Sequence, residues 1–331
     1  MTAPNPPFAT RTLRYGPAAI AEAAALIAAG EPVAVPTETV YGLAADATES
    51  AAVARIYAAK GRPSFNPLIV HVPDLAAAER IAVFDDRARA LAAAFWPGPL
   101  TLVLPLRPEA GIASAVTAGL GTIALRVPAH RAMRALLEAT GEPLAAPSAN
   151  ASNRISPTRA AHVLGSLDGR IPLIIDDGPT TAGLESTIVK DDEILRPGPI
   201  TADEISAVCS REGGSPESRT VTLETLGSRL RGSTNAVIAP GQLPIHYAPS
   251  KSLRLNATEA APDEWLIGFG LVTGDKTLSA SGDLAEAAAN LFAALHAADA
   301  SPRARIAVAP IPATGIGVAI NDRLDRAAHR G

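Results

Sequence analysis

Two cations lie two residues apart in the segment KGRPSFNPLIVHV, and their spacing suggests a site for an anion. Lys60 and Arg62 are interleaved with Gly61 and Pro63, so the segment is not helical and both charges can reach one face of a loop. Lys60 is one of only four lysines among 29 lysines and arginines. An ammonium is a compact point charge, whereas a guanidinium is a broad planar fork. Lysine here therefore favours contact with a crowded group such as a phosphate, against the alternative of a solvated surface lysine.

A third candidate cation, Arg126, lies inside the apolar strand of GTIALRVP. A buried arginine is costly unless it is paired, so Arg126 meets either an acidic side chain or an anionic ligand. The loop PSANASNRISPT precedes a helix that we expect to be capped near Ser156 or Thr158, and a helix N-terminus favours anions. The loop concentrates small hydrogen-bonding side chains, namely Ser148, Asn150, Ser152, Asn153 and Ser156.

Polar residues also follow other predicted strands. The strand PVAVPT (32–37) leads into PTETVYGLAADA, which places Thr37, Glu38, Thr39 and Tyr41 in a turn region. Polar strand ends are typical of α/β binding clefts, although ordinary threonine turn chemistry explains them equally well. His71, in the strand LIVHV, is by itself more typical of a hydrogen-bonded core histidine. Further polar residues stand at strand edges, namely Ser186, Thr187 and Arg196.

The common phosphate and metal motifs are absent. GFGLVTGDKT (268–277) departs from GxxxxGK[ST] in its glycine count and lysine position, and GIGVAI (315–320) lacks the third glycine of the dinucleotide fingerprint. The single cysteine, Cys209, allows no internal disulfide, and no Cys/His cluster has zinc spacing.

The elements that carry these residues predict a mixed α/β fold. Strands alternate with helices, but several strands follow one another directly, which argues against a purely doubly wound sheet. A length of 331 residues favours two domains. We expect a catalytic domain at 1–209, with a twisted mixed sheet and an open concave cleft. A proline-containing linker at 210–250 should cross that cleft, and 251–331 should form a smaller α/β domain.

Composition limits the function. Hydrophobic residues make up 47% of the chain and charged residues 19%, which is typical of a globular protein. The net charge of -4 excludes a globally basic nucleic-acid binder. The N-terminus lacks the basic start and apolar run of a signal peptide, and no apolar run reaches about 18 residues. We therefore expect a cytoplasmic protein without a membrane span.

Seven motifs in order give a specific resemblance. PTETVYGLAADA, KGRPSFNPLIVHV, WPGPLTLVL, GTIALRVP, PSANASNRISPT, GPTTAGLESTIV and ILRPG together resemble the threonylcarbamoyl-AMP synthase family, whose catalytic domain is YrdC-like, in its long two-domain form. The resemblance spans about 18–200 and resumes at APGQLPIHYAPSK (239–251) and GIGVAINDRLDRAA. Asn153 and Asp177 stand where the family often has glycine; asparagine tolerates the left-handed backbone, and Asp177 adds a negative charge near the cleft.

The resemblance implies a reaction and its participants. L-threonine, bicarbonate or CO2, and ATP would form L-threonylcarbamoyl-adenylate and pyrophosphate, with Mg²⁺ bridging the phosphates. The adenylate would pass to proteins that modify adenosine beside the tRNA anticodon, and direct tRNA contact is not required. A non-catalytic RNA-binding module on the same fold is the alternative. A carbamoyl-transfer protein of hydrogenase maturation is disfavoured, because such chains carry zinc-finger cysteines.

The resemblance also assigns residues. The catalytic positions are Lys60, Arg62, Ser148 and Asn150. The ATP positions are Lys60, Arg62, Asn66, Thr122, Ser148, Ser156, Arg196 and Tyr247. The threonine positions are Thr37, His71, Arg126, Ser186 and the backbone at Ala146, with no metal ligand from the protein. These roles fit the chemistry, since positioned cations stabilise charge that develops on transferring phosphates.

Overall fold

The computed structural model describes residues 8–212, 239–240 and 247–329. The first domain contains ten strands: β1 (Arg11–Arg14), β2 (Val33–Pro36), β3 (Tyr41–Asp46), β4 (Ile69–His71), β5 (Leu100–Pro105), β6 (Thr122–Arg126), β7 (Leu144–Ala145), β8 (Leu173–Asp176), β9 (Thr187–Lys190) and β10 (Glu193–Arg196). Its helices are α1 (Pro17–Ala28), α2 (Ser50–Lys60), α3 (Leu75–Ile81), α4 (Asp86–Phe95), α5 (Ser114–Thr117), α6 (Arg131–Thr140), α7 (Ala160–Leu167) and α8 (Ala202–Glu212).

The ten strands form one mixed sheet in the order β1-β8-β2-β3-β7-β4-β6-β5-β9-β10. β4 pairs with β6 in parallel and β5 with β9 in parallel, whereas β2–β3, β3–β7, β4–β7, β5–β6 and β9–β10 are antiparallel. The mixed α/β sheet expected from consecutive strands is thus confirmed.

Successive side chains of a strand point to opposite faces of this sheet, and the two faces pack against different apolar clusters. In β2, Val33 and Val35 pack in a cluster with α1 and α6, whereas Ala34 belongs to the large core on the other face. At the β4–β6–β5–β9 end, the described residues place only a small apolar group on the face opposite that large core, and this group includes Ile69 and Ala239. This less covered part of the face holds the cleft described below.

The C-terminal domain is a smaller α/β unit, as expected. Its strands are β11 (Ser252–Arg254), β12 (Glu264–Gly268), β13 (Lys276–Thr277) and β14 (Arg305–Val308), all parallel in the order β11-β14-β12-β13. Its helices are α9 (Leu284–Ala300) and α10 (Gly317–Ala328). The core of this domain also includes Val40, Ile155 and Leu184 of the first domain, so the two domains share packed apolar surface.

Close approach at this junction depends on Gly183. Its φ is +70°, and an added Cβ would lie 2.5 Å from the carbonyl oxygen of Ala288 in α9. Only glycine combines that backbone conformation with that distance.

Several sequence expectations differ from the structure. Tyr41, expected in a turn, is the first residue of β3, because the second half of PTETVYGLAADA forms a strand that pairs with β2 in a hairpin. The helix expected to be capped near Ser156 or Thr158 starts at Ala160, so neither side chain caps it. The strand expected at 264–272 ends at Gly268, where the backbone turns. β1, α3, α5 and β13 were not expected; α5 and β13 are too short for a periodic pattern.

Much of the predicted linker at 210–250 lies outside the described residues, including 213–238 and His246. Ala239, Pro240 and the chain from Tyr247 onward are described. Across the described chain, no helix is both long and apolar enough to cross a bilayer.

Candidate active site

A cleft of about 520 Å³, counted with its open mouth, lies over the less covered part of the sheet. Strand ends and the loops after them supply most of its wall. Nine of the fourteen assigned residues line it: Thr37, Arg62, His71, Arg126, Ala146, Ser148, Ser186, Arg196 and Tyr247. Positions as far apart in sequence as Thr37 and Tyr247 thereby share one cavity.

Arg126 is held at the end of β6 by a protein carboxylate. Its Nη2 pairs with Oε1 of buried Glu38, its Nη1 donates to Thr39 Oγ1 (2.9 Å) and its Nε donates to the Gly98 carbonyl (3.1 Å). Burial opposes ionisation of Glu38, but the Arg126 charge and hydrogen bonds outweigh it, so the Glu38 pKa lies below its ordinary value. The acidic-partner alternative for Arg126 is therefore present in the structure. Three of the five N–H groups of Arg126 are used.

The threonines of the β2–β3 turn satisfy one another. Thr37 Oγ1 donates to the Val40 carbonyl (2.7 Å) and accepts from the Val40 amide (3.2 Å), which is local turn chemistry. The Thr37 and Thr39 hydroxyls are 2.8 Å apart. This network fixes the turn and aligns the side chain that Arg126 contacts.

His71 presents a neutral imidazole to the cleft. Burial, followed by the Arg126 charge, lowers its pKa to about 3. Among the described residues, neither ring nitrogen has a partner at hydrogen-bonding geometry, although both are buried. Buried polar groups are normally paired, so His71 is a core position with unused capacity to bind a ligand.

Lys60, the last residue of α2, points its ammonium at a loop backbone. Nζ donates to the carbonyl of Ser148 and to that of Asn150 (2.5 Å), and the residue is 3% exposed. Burial, reinforced by the Arg62 charge, pulls the Lys60 pKa well below its usual range. A surface lysine is thus ruled out, and the lysine connects α2 to the loop that bears Ser148.

Arg62 is oriented by residues that follow it in the same segment. Its Nη2 donates to Asn66 Oδ1 (2.7 Å) and to the Pro67 carbonyl (2.8 Å), and its Nε donates to the Asn66 carbonyl (3.1 Å). Burial is the main reason that the Arg62 pKa falls to about 10. Arg62 stays charged near neutral pH and faces the cleft, while Asn66 lies behind it.

Arg196, at the end of β10, shapes the opposite wall. Nε and Nη2 donate to the Ser186 carbonyl (3.0 and 2.8 Å), and Nη2 also reaches Ser186 Oγ (3.1 Å). Ser186 Oγ lies 2.7 Å from Thr101 Oγ1. Arg196 Nη1 contacts the Pro240 carbonyl at 3.5 Å, which connects this wall to the described part of the linker.

A second buried ion pair joins the two domains beside the cleft. Glu185 lines the cleft and accepts hydrogen bonds from Ser156 Oγ and from Nε of Arg323 (2.9 Å) in α10. The Arg323 guanidinium lies over the Tyr247 ring, 5.1 Å from its centroid. Tyr247 is fully buried and also packs on Phe292 of α9.

The structure does not bring five of the assigned residues into the cleft wall. Lys60 and Asn150 lie behind the Ser148 loop, Asn66 behind Arg62, and Ser156 behind Glu185. Thr122 is half-buried at the start of β6, opposite Pro105 and beyond the lining. Four of these five contact a residue that lines the cleft.

Sequence reasoning missed three charged groups, Glu38 as the Arg126 partner, Glu185 and Arg323. Glu38 and Glu185 could have been found as isolated acids within otherwise apolar or small-residue motifs. No local signal connects Arg323 with Glu185, because 137 residues separate them. Asp177, whose role the sequence left open, pairs with exposed Arg131 at 2.5 Å.

The described residues contain no cluster of three or more His, Cys, Asp or Glu able to hold a metal ion. Glu185, which lines the cleft, is engaged by Ser156 and Arg323, and Glu38, beside the lining, is engaged by Arg126.

The electrostatics of the cleft suit an anionic ligand. Arg62, Arg126 and Arg196 line it together with the Glu185 carboxylate and the neutral imidazole of His71, while Glu38 pairs with Arg126 beside the lining. The surplus of fixed positive charge in a partly water-excluded cavity can stabilise carboxylate and phosphate groups.

Comparisons with known proteins agree with this geometry. Residues 25–198 match the family Sua5_yciO_yrdC, described as "Telomere recombination", and residues 200–329 match "Threonylcarbamoyl-AMP synthase, C-terminal domain". The "Threonylcarbamoyl-AMP synthase" of Bacillus subtilis is 41% identical over 335 residues, covering 93% of this chain and 92% of that protein. The protein of the same name in Pyrococcus abyssi is 37% identical, covering 92% and 93%. The crystal structure of P. abyssi Sua5 complexed with L-threonine superposes with a TM-score of 0.83 at 36% identity, over 96% of this chain and 97% of that one.

Proposed function

Because the chain belongs to the threonylcarbamoyl-AMP synthase family, we infer that it makes L-threonylcarbamoyl-adenylate from L-threonine, bicarbonate or CO2, and ATP. The observation that carries this inference is the cleft itself, where three buried or half-buried arginines and a neutral histidine converge. The P. abyssi relative binds L-threonine in its crystal structure, which supports the same ligand here.

On the threonine side, Arg126 holds the substrate carboxylate with the N–H groups that Glu38 and its other partners leave unused. The neutral imidazole of His71, with unsatisfied nitrogens, orients the amine or hydroxyl. Thr37, Ser186 and the Ala146 backbone complete the pocket, since all three lie in its wall.

On the phosphate side, the nucleophile is a carbamate. It forms when the threonine amine adds to the carbon of CO2 with loss of a proton, or of bicarbonate with loss of water. A carbamate oxygen then attacks the α-phosphorus and forms the new P–O bond. The bond from that phosphorus to the bridging oxygen breaks, and pyrophosphate leaves with the electron pair. Arg62 and Arg196 stabilise the charge that develops on the phosphates. Ser148 supplies a hydrogen bond from a loop that Lys60 and Asn150 hold in place. Asn66 and Ser156 support their lining neighbours. Thr122 contacts the nucleotide where it extends past the β6 end of the cleft.

Mg²⁺ would accompany ATP and would neutralise part of the phosphate charge. Mg²⁺ commonly binds to substrate phosphates with few protein ligands.

The wider assignments follow from the reaction. We assign the protein to the cytoplasm, where proteins that modify tRNA beside the anticodon would take up the adenylate. Contact with tRNA is not required for synthesis. We assign 1–209 as the catalytic domain, 210–250 as a linker that crosses the cleft, and 251–331 as the domain that anchors it. The cleft positions of Pro240 and Tyr247 support the crossing.

The decisive experiment incubates the pure protein with threonine, bicarbonate, Mg²⁺ and α-labelled ATP. We expect labelled adenylate and pyrophosphate only when all components are present. Binding of RNA without ATP-dependent pyrophosphate release would instead support a non-catalytic RNA-binding module.

A further inference from the structure

A fully buried arginine of the C-terminal domain connects this domain with the cleft wall. Arg323 in α10 has no exposed surface, and its Nε donates to Glu185 Oε2 at 2.9 Å. Glu185 belongs to the first domain and lines the cleft. A cation of the second domain thus sets the position of a carboxylate in the catalytic wall.

The same guanidinium supports an aromatic ring of the cleft wall. Arg323 lies 5.1 Å from the centroid of the Tyr247 ring, within the range of a cation–π contact. Tyr247 has a φ of +64°, in the left-handed region that bulky residues rarely occupy. Such a conformation persists only when the surroundings enforce it, and Arg323 and Phe292 are two of those surroundings.

The charges around Arg323 are arranged to hold it in one orientation. Its Nη1 donates to Asp322 Oδ2 (2.6 Å), and Asp322 Oδ1 accepts from Arg326 (2.9 Å). Complete burial opposes the charge of Arg323, but Tyr247, Glu185 and Asp322 outweigh it and keep the Arg323 pKa above its usual range. Buried ion pairs contribute little net stability compared with apolar packing, so their better explanation is fixed geometry.

Three positions that the proposed function assigns to ATP lie around the Glu185–Arg323 ion pair. Ser156 donates to Glu185, Tyr247 lies under Arg323, and Arg196 occupies the adjoining wall. The threonine positions Thr37 and Arg126 belong to a separate network with Glu38.

We propose that Arg323 is a positioning residue for the ATP side of the cleft, acting through Glu185 and Tyr247. Arg323 therefore makes ATP binding depend on the docked C-terminal domain. This assignment rests on the proposed function, which gives that side of the cleft to ATP.

The test compares ATP and threonine affinity by calorimetry in full-length variants. Arg323→Met should weaken ATP binding at least about tenfold, because it leaves the buried Glu185 carboxylate without its charged partner. Threonine affinity should stay within about twofold. Arg323→Lys keeps the charge but not the planar fork, and should weaken ATP binding by a smaller factor. If Arg323→Met does not fold, the test rests on Arg323→Lys. An ATP affinity of Arg323→Lys equal to that of the wild type would then overturn the proposal.

The matched control is Arg254→Met. Arg254 pairs at 2.6 Å with Glu264, another buried carboxylate of the same domain, but not with the cleft. This control should lose stability without losing ATP affinity. The double variant Arg323→Met/Glu185→Gln should bind ATP no less tightly than whichever single variant binds it less tightly, because both changes remove the same ion pair.

Two results overturn the proposal. Arg323→Met could bind ATP as Arg254→Met does, or it could lose affinity for both ligands in proportion to its melting temperature. Failure of the proposed function is separate: the wild type would bind ATP without forming adenylate, and the ATP comparison would still decide the role of Arg323.

Discussion

Replacement of Lys60 by methionine tests whether its ammonium organises the Ser148 loop. The variant keeps most of the apolar stem but removes both hydrogen bonds from Nζ. The Ser148 carbonyl still accepts from the Asn150 amide (3.0 Å), whereas the Asn150 carbonyl has no other donor among the described residues. A buried carbonyl without a partner costs about 1–3 kcal/mol, and a hydrogen bond from a charged donor contributes about 1.5–3 kcal/mol. We therefore expect the free energy of unfolding to fall by about 2–4 kcal/mol.

The same change should slow adenylate formation by about a hundredfold to a thousandfold, as when other preorganised electrostatic groups are removed. Lys60→Arg should also be slow, because a planar fork does not fit a site that is 3% exposed and shaped around one ammonium. Single-turnover formation of labelled adenylate measures the rate, and urea unfolding measures the stability.

Lys251→Met is the matched control. Its Nζ donates to the carbonyls of Ala298 (2.9 Å) and Ser301 (2.5 Å) in the second domain, so it removes the same kind of contact outside the cleft. It should lose stability but keep its rate. A Lys60→Arg variant with wild-type rate and stability would refute the steric reasoning, and equal rate losses in Lys60→Met and Lys251→Met would refute the local role.

Three further predictions concern binding and pH. Arg126→Lys should weaken threonine binding more than ATP binding, because a point charge replaces a bidentate fork; separate calorimetric titrations check this, and equal losses would restrict Arg126 to supporting the fold. Tyr247→Ala should raise the KM for ATP about tenfold while circular dichroism stays unchanged, whereas an unchanged KM would remove Tyr247 from the ATP site. His162 and His296 stack at the domain junction, 3.9 Å between centroids, and burial lowers both pKa values, that of His162 to about 3. These two imidazoles bind protons more readily in the unfolded chain than in the folded one. Their contribution to the free energy of unfolding is therefore fully present above pH about 6.5 and is lost as the pH falls towards 3. Because both rings are partly exposed, we expect the free energy of unfolding to fall by about 1–2 kcal/mol over this pH range. Urea unfolding at several pH values measures this fall, which should be absent in the double variant His162→Gln/His296→Gln.

The sequence by itself determined the features that depend on local pattern. Apolar periodicity located α1, α2, α4, α6 and most strands to within a few residues, because burial of one face repeats along the chain. Consecutive strands indicated a mixed sheet, and the order of seven motifs identified the family. The rarity of lysine singled out Lys60, and the apolar setting of Arg126 limited its partner to an acid or an anion.

The tertiary structure alone decided which groups meet. Lys60 contacts two loop carbonyls about 90 residues away, Arg126 pairs with Glu38, and Arg323 reaches Glu185 across the domain boundary. The type of a side chain determines which groups can form hydrogen bonds or ion pairs with it, but the chain contains several candidate partners of each type. The choice among them depends on sheet order and domain docking, which are set by the packing of the whole core and not by any short segment.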